Sequence, residues 1–115
     1  MDEGGVRALI DRFNAAWGDH DLDATLALCT DDLVFESTGP APDGERCEGH
    51  AAVRGAWQPI FEDPNAVFEV EEAVVAGDRL VQRWRYDWGD GHVRGVDVFR
   101  VRDGRVAEKL SYVKG

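Results

Sequence analysis

The spacing of apolar residues changes once along this chain, near residue 66, and that change limits the fold more than any other feature. Before it, apolar side chains recur every three or four positions. Val6, Leu9, Ile10, Phe13, Ala16 and Trp17 fall on one face of a helix ending near Gly18. Asp21 is placed to cap a second, shorter helix that carries Leu22, Leu26 and Leu28 up to Cys29, and Leu33-Val34-Phe35 follows as a short strand. Residues 38 to 48, with Gly39, Pro40, Pro42 and Gly44, read as a polar loop at the border of a pocket. A third helix begins after Gly49, carries Val53, Trp57, Ile60 and Phe61, and stops before Pro64. Beyond residue 66 the period is two. Strands are expected over 66–76, 79–88, 93–102 and 105–113, separated by Gly77-Asp78, Gly89-Asp90-Gly91 and Asp103-Gly104. Helices followed by a meander predict one α+β domain over 1–115, with the helices covering one face of an antiparallel sheet.

Composition sets the outer limits. With 43% hydrophobic residues the chain can fill one core, which excludes disorder. Thirteen basic against 23 acidic residues give a net charge of −10, which repels polyphosphates and anionic bilayers and makes nucleic acid and membrane surfaces poor partners. The plainer role of that charge is solubility. Met1-Asp2-Glu3 opens without a signal-peptide pattern and no apolar run approaches a membrane span, so a cytoplasmic location is expected. Cys29 and Cys47 are then free thiols, and His20, His50 and His92 are too scattered for a metal site. No metal or cofactor is expected.

Strand alternation assigns side chains to faces. With Asp90-Gly91 as a two-residue turn, Trp84 lies opposite Asp97 and Tyr86 opposite Gly95. Trp84, Tyr86 and Trp88 then share a face with Val93, Asp97 and Phe99, while Arg83, Arg85, Val96, Val98 and Arg100 take the other. A one-residue slip would exchange the two sets. Asp97, flanked by Val96, Val98 and Phe99, requires either a buried partner or a role. For Trp17, Trp57, Trp84 and Trp88 the plainer reading is core packing.

Four segments carry a resemblance to a known family: FNAAWGDHDLDATLALCTDDLVFES, CEGHAAVRGAW, GDRLVQRWRYDW and VRGVDVFRVRDGRVAEKLSYV. They resemble the SnoaL-like polyketide cyclases within the wider nuclear transport factor 2-like and ketosteroid-isomerase-like superfamily. The resemblance implies a cystatin-like cone, a strongly curved sheet wrapped around the first helix and enclosing a mostly apolar pocket. Ketosteroid isomerases place a tyrosine, a general-base carboxylate and a hydrogen-bonding acid where this chain has Phe13, Ser37 and Asp97; one of the three is retained, which disfavours that mechanism. Limonene-epoxide-hydrolase-like members need an Arg-x-Asp unit and a last-strand Asp; Arg85-Tyr86-Asp87 looks shifted in register and the last position falls on Ser111. SnoaL-like cyclases use one acid/base aspartate in the penultimate strand, and Asp97 looks like its match. The family pattern also favours a three-residue loop Arg102-Asp103-Gly104, which sets Lys109 opposite Asp97 with Ser111 on the same face.

Two functions follow as expectations. One is a cofactor-free isomerase- or cyclase-type enzyme in which Asp97 moves a proton on an apolar carbonyl compound. Its pocket would be lined by Phe13, Trp17, Trp57, Trp84, Tyr86 and Phe99, with Tyr86 or Ser37 donating to the carbonyl. The other is a ligand-binding or accessory domain with the same pocket and no chemistry. Lys109 beside Asp97 would hold the carboxylate charged, whereas an apolar surround would favour the neutral acid. A homodimer is also expected, through an outer apolar patch of Val96, Val98, Leu110 and Tyr112.

Overall fold

The computed structural model describes residues 1–115. Helix α1 spans Glu3–Gly18, and the Asp2 carboxylate accepts from the Gly5 N–H, satisfying a donor at the helix start. Helix α2 is Leu22–Ala27, capped by Asp21 through the Ala24 N–H. It ends two residues short of Cys29, because Cys29 already opens strand β1, Cys29–Glu36. That strand is longer than the three residues expected from alternation. Strand β2, Arg46–Glu48, lies inside the segment read as loop. Helix α3 is His50–Glu62, and strands β3 (Val67–Ala76), β4 (Arg79–Asp87), β5 (His92–Arg102) and β6 (Arg105–Val113) follow.

The six strands form one curved sheet in the order β2-β1-β6-β5-β4-β3. All neighbours are antiparallel except β1 and β6, a parallel pairing between distant segments that local turn signals cannot announce. Register shifts interrupt β3 against β4 near Val70, β6 against β5 near Val101 and β1 against β6, and such bulges bend a sheet. The concave face closes over α1 and α3. Val6, Leu9, Ile10 and Phe13 of α1 are buried with Leu33, Val53, Trp57, Leu80 and Phe99. Trp57 meets Phe13, Trp17 and Phe35 edge-on at 5.1–5.9 Å, the arrangement aromatic quadrupoles favour.

Two hairpins differ from expectation in register and agree in face. Across β4 and β5 a four-residue loop, 88–91, replaces the two-residue turn, so Trp84 pairs with Gly95 and Gln82 with Asp97. A side chain at position 95 would stand 2.5 Å from the Trp84 ring, so glycine is what lets that indole lie across β5. Across β5 and β6 the turn is Asp103-Gly104, both at positive φ as a type I′ hairpin requires. With the register shift between Arg100 and Val101 added to that turn, Asp97 faces Ser111 and Lys109 faces Phe99, one pair further along than expected.

Candidate functional site

A cavity of about 500 Å³ opens between the concave sheet face, α1, α3 and the 37–47 segment. Trp17, Trp84 and Tyr86 line it, together with Phe35, Ile60 and Phe68, which alternation alone did not single out. Trp88 stands half-exposed 6.1 Å from the Tyr86 ring. Burial pushes the Tyr86 hydroxyl above its usual range, and nearby Asp63 adds to the effect. Phe13, Trp57 and Phe99 are not on the wall; at 1% exposure or less they fill the core behind it. Their period placed them on the inner face, and period cannot tell a wall from the packing beneath it.

Polar groups line this cavity at its loop edge, through Ser37, Thr38 and Glu45, and on the sheet wall. Lys109 and Ser111 line the cavity, and Asp97 lies directly behind them with no exposed surface. The Asp97 carboxylate accepts from three donors: Ser111 Oγ at 2.7 Å, Lys109 Nζ at 3.2 Å and Gln82 Nε2 at 3.1 Å. Lys109 Nζ also donates to Ser111 Oγ at 2.8 Å and sits 4.7 Å from the Trp17 ring centroid and 5.2 Å from that of Phe35. A buried carboxylate and a buried ammonium are thus mutually compensated, and two aromatic faces add cation–π attraction. Gln82 is held in turn by Asn14 of α1, the two amides pairing reciprocally at 2.8 and 3.2 Å. Sequence reasoning missed Gln82, although it stands two residues from Trp84 on the same face of the strand. A polar side chain on an inward position was the available signal.

Ser37 reaches the cavity edge in another capacity. Its hydroxyl donates to Gly39 O at 2.7 Å and accepts from the Glu45 N–H at 2.9 Å, clasping the 37–45 loop. That clasp is tight: Gly44 has φ 71°, and a Cβ there would lie 1.9 Å from Ser37 O. Of the two thiols, Cys47 lines the cavity, whereas Cys29 is buried, donates to Thr25 O and is pushed up to about 12 by burial. No three His, Cys, Asp or Glu side chains converge on a point where a metal ion would sit.

A curved sheet closed over a helix, with one ion pair at the inner end of an aromatic cavity, defines the cone-shaped α+β pocket class. Within that class the chain belongs to the SnoaL-like domain family, whose sequence pattern matches residues 10–109. No match was found among curated proteins. Among solved structures, a nuclear transport factor 2-like protein of unknown function from Mesorhizobium loti is 41% identical, with 98% of this chain and 93% of that one covered and a TM-score of 0.89. A putative ketosteroid isomerase from Kribbella flavida is 21% identical, with 99% and 81% covered and a TM-score of 0.85. A putative polyketide cyclase from Sinorhizobium meliloti is 24% identical, with 90% and 93% covered and a TM-score of 0.78. The last two relationships establish the fold alone, because isomerases and cyclases share this architecture.

Proposed function

We propose that this protein binds an apolar small molecule carrying a carbonyl group and moves a proton on it without a resident cofactor, using Asp97, Lys109 and Ser111 as the acid/base centre. The observation that carries this reading is the location of that centre: the sole carboxylate–ammonium pair buried on the inner face stands at the wall of the aromatic cavity. Aromatic walls bind the apolar body of the ligand. Lys109, the cation at the wall, donates its remaining N–H to the carbonyl oxygen and stabilises charge that develops there. Asp97 is one layer back, so a proton removed next to the carbonyl travels to it through Ser111 Oγ, which already donates to Asp97.

Hydrogen–deuterium exchange next to the carbonyl of 2-tetralone, followed by NMR in D₂O, tests the chemistry. The protein should accelerate exchange, and Asp97→Asn should slow it by about 10²- to 10⁴-fold with little change in ligand affinity. No acceleration by the unaltered protein, with 2-tetralone bound, would leave the non-catalytic binding domain as the better reading. The full satisfaction of Asp97 by three donors favours that second reading.

The assembly proposed with this function is a two-fold homodimer. On the convex face Tyr112 is 55% and Val81 41% exposed beside half-buried Val96, Val98 and Leu110, and Arg83–Glu72 and Arg100–Glu108 pairs flank them. Sedimentation at micromolar concentration should give twice the 12.7 kDa chain mass; a 12.7 kDa species would refute it.

A further inference from the structure

The Lys109 amine is placed for covalent chemistry that hydrogen bonding to a carbonyl does not exhaust. An ammonium has three N–H bonds. Two are taken, by Asp97 Oδ1 and Ser111 Oγ, and the remaining surroundings of the nitrogen are the faces of Trp17 and Phe35 and the cavity itself. No acidic side chain other than Asp97 forms an ion pair with Lys109. A carbonyl carbon brought along the aromatic walls therefore meets a primary amine whose proton acceptor is already 3.2 Å away.

We propose that Lys109 captures apolar aldehydes in this cavity as a protonated imine, with Asp97 as its counter-ion. This deepens the reading that the cavity admits an apolar carbonyl compound and rests on it. The ammonium hands one proton to Asp97, and the freed lone pair attacks the carbonyl carbon. The carbonyl oxygen takes up protons as its bond to carbon breaks and leaves as water through the cavity opening. The sum is R–CHO + ⁺H₃N–Lys109 → R–CH=N⁺H–Lys109 + H₂O, with no oxidant or reductant consumed. The charge balance is what makes the site suitable. Before and after condensation one positive nitrogen bearing an N–H faces one buried carboxylate, so capture never strands Asp97 without a partner, the costly outcome for a buried ion. A dry aromatic wall also limits the water that would reverse the step.

The sequence makes the test sharp, since Lys109 and Lys114 are the only lysines and the α-amino group of Met1 is the only other primary amine. The intact protein is incubated with 2-naphthaldehyde and sodium cyanoborohydride, which reduces the imine to a stable secondary amine, and the labelled residue is located by peptide mass spectrometry. Lys114 is exposed and serves as the internal reference. Expected is labelling of buried Lys109 faster than Lys114 by about tenfold or more, the advantage of a reagent held beside its nucleophile. Labelling shared between Lys114 and Met1 with Lys109 untouched overturns the proposal. Binding of naphthalene, which has no carbonyl, is followed in parallel by tryptophan fluorescence. Naphthalene bound with Lys109 unlabelled refutes imine capture alone, whereas failure of both refutes the cavity reading as well. Lys109→Arg keeps the cation and cannot condense; it should retain naphthalene binding and lose the label.

Discussion

Replacing Lys109 with methionine should cost more stability than any other single change at the site, and the reason is an asymmetry between the two ions. Asp97 has no exposed surface and is walled in by Gln82, Ser111 and Lys109. Without the ammonium its carboxylate keeps two neutral donors and no route to water, and breaking a buried pair from this side costs about 3–5 kcal/mol. Asp97→Asn is milder. Lys109, although only 7% exposed, borders the open cavity and can extend its ammonium to water. The asparagine amide can then be met by a joint flip of the reciprocally paired Gln82 and Asn14, so about 1–3 kcal/mol is expected. The double variant removes both charges and should recover part of the loss, with a coupling of at least about 2 kcal/mol. Domains of this size have about 5–15 kcal/mol in total, so the shifts are measurable as urea midpoints at constant m. A loss below about 1 kcal/mol for Lys109→Met, or a larger loss for Asp97→Asn, would refute the account of the pair.

Three further outcomes follow from the burial of the thiols and the geometry of the 37–45 loop. Under native conditions a thiol reagent should modify Cys47 and not Cys29, with both reacting in denaturant; rapid native reaction of two thiols per chain would contradict the burial of Cys29. Because burial raises the Cys29 thiol from 9.0 to about 12, the folded chain holds that proton after the unfolded chain has released it, and stability falls as pH rises from about 9. Relative to Cys29→Ala, the unaltered protein should lose about 1.4 kcal/mol more per pH unit above 9, and equal slopes would rule out the mechanism. Gly44→Ala should destabilise by more than about 1 kcal/mol and weaken naphthalene binding, since positive φ and the Ser37 carbonyl leave no room for a Cβ; unchanged melting and binding would show that the clasp does not shape the cavity edge.

The parts of the fold that were legible in the sequence are those fixed by contacts close along the chain. The period of Val6 to Trp17 and the Asp21 cap foretold α1 and α2, and the turn dipeptides foretold four strands that pair with their sequence neighbours. What stayed hidden depends on segments that meet only after folding. Strand β2 has three residues, too few for a period, and its partner β1 is ten or more positions away. The parallel contact of β1 with β6 joins residues near 34 to residues near 108. The cavity wall was half legible for the same reason. Trp84 and Tyr86 follow from β4 alone, whereas Phe35, Ile60 and Phe68 reach the wall only when three separate elements converge.

The site's polar end depends on one residue in β6 that the sequence does not mark. Val106 is buried opposite Val101, and strict alternation from there would send Glu108, Leu110 and Tyr112 inward and turn Lys109 and Ser111 to the outside. The register shift between Arg100 and Val101 leaves Ala107 without a partner on β5, and both Val106 and Ala107 are buried. That inserted residue reverses the parity of the rest of the strand and delivers Lys109 and Ser111 to Asp97. Placing the extra residue in the turn, as a three-residue loop, reverses the parity equally well. This is why the predicted face was right while the predicted partner, Lys109 opposite Asp97, was displaced by two positions. The partner is therefore set by where the extra residue is absorbed, and the facing by its standing outside the ladder, in the bulge or in the turn. Deleting Ala107 should remove the bulge without moving the site: Glu108 then follows Val106 outward, Lys109 and Ser111 stay opposite Phe99 and Asp97, and the shortened chain should fold with the buried pair intact. Cooperative unfolding of the deletion variant, with Lys109→Met still costing it about 3–5 kcal/mol, is the expected result; a deletion variant that fails to fold, or in which Lys109→Met no longer destabilises, would show that Ala107 does more than offset the register of β6.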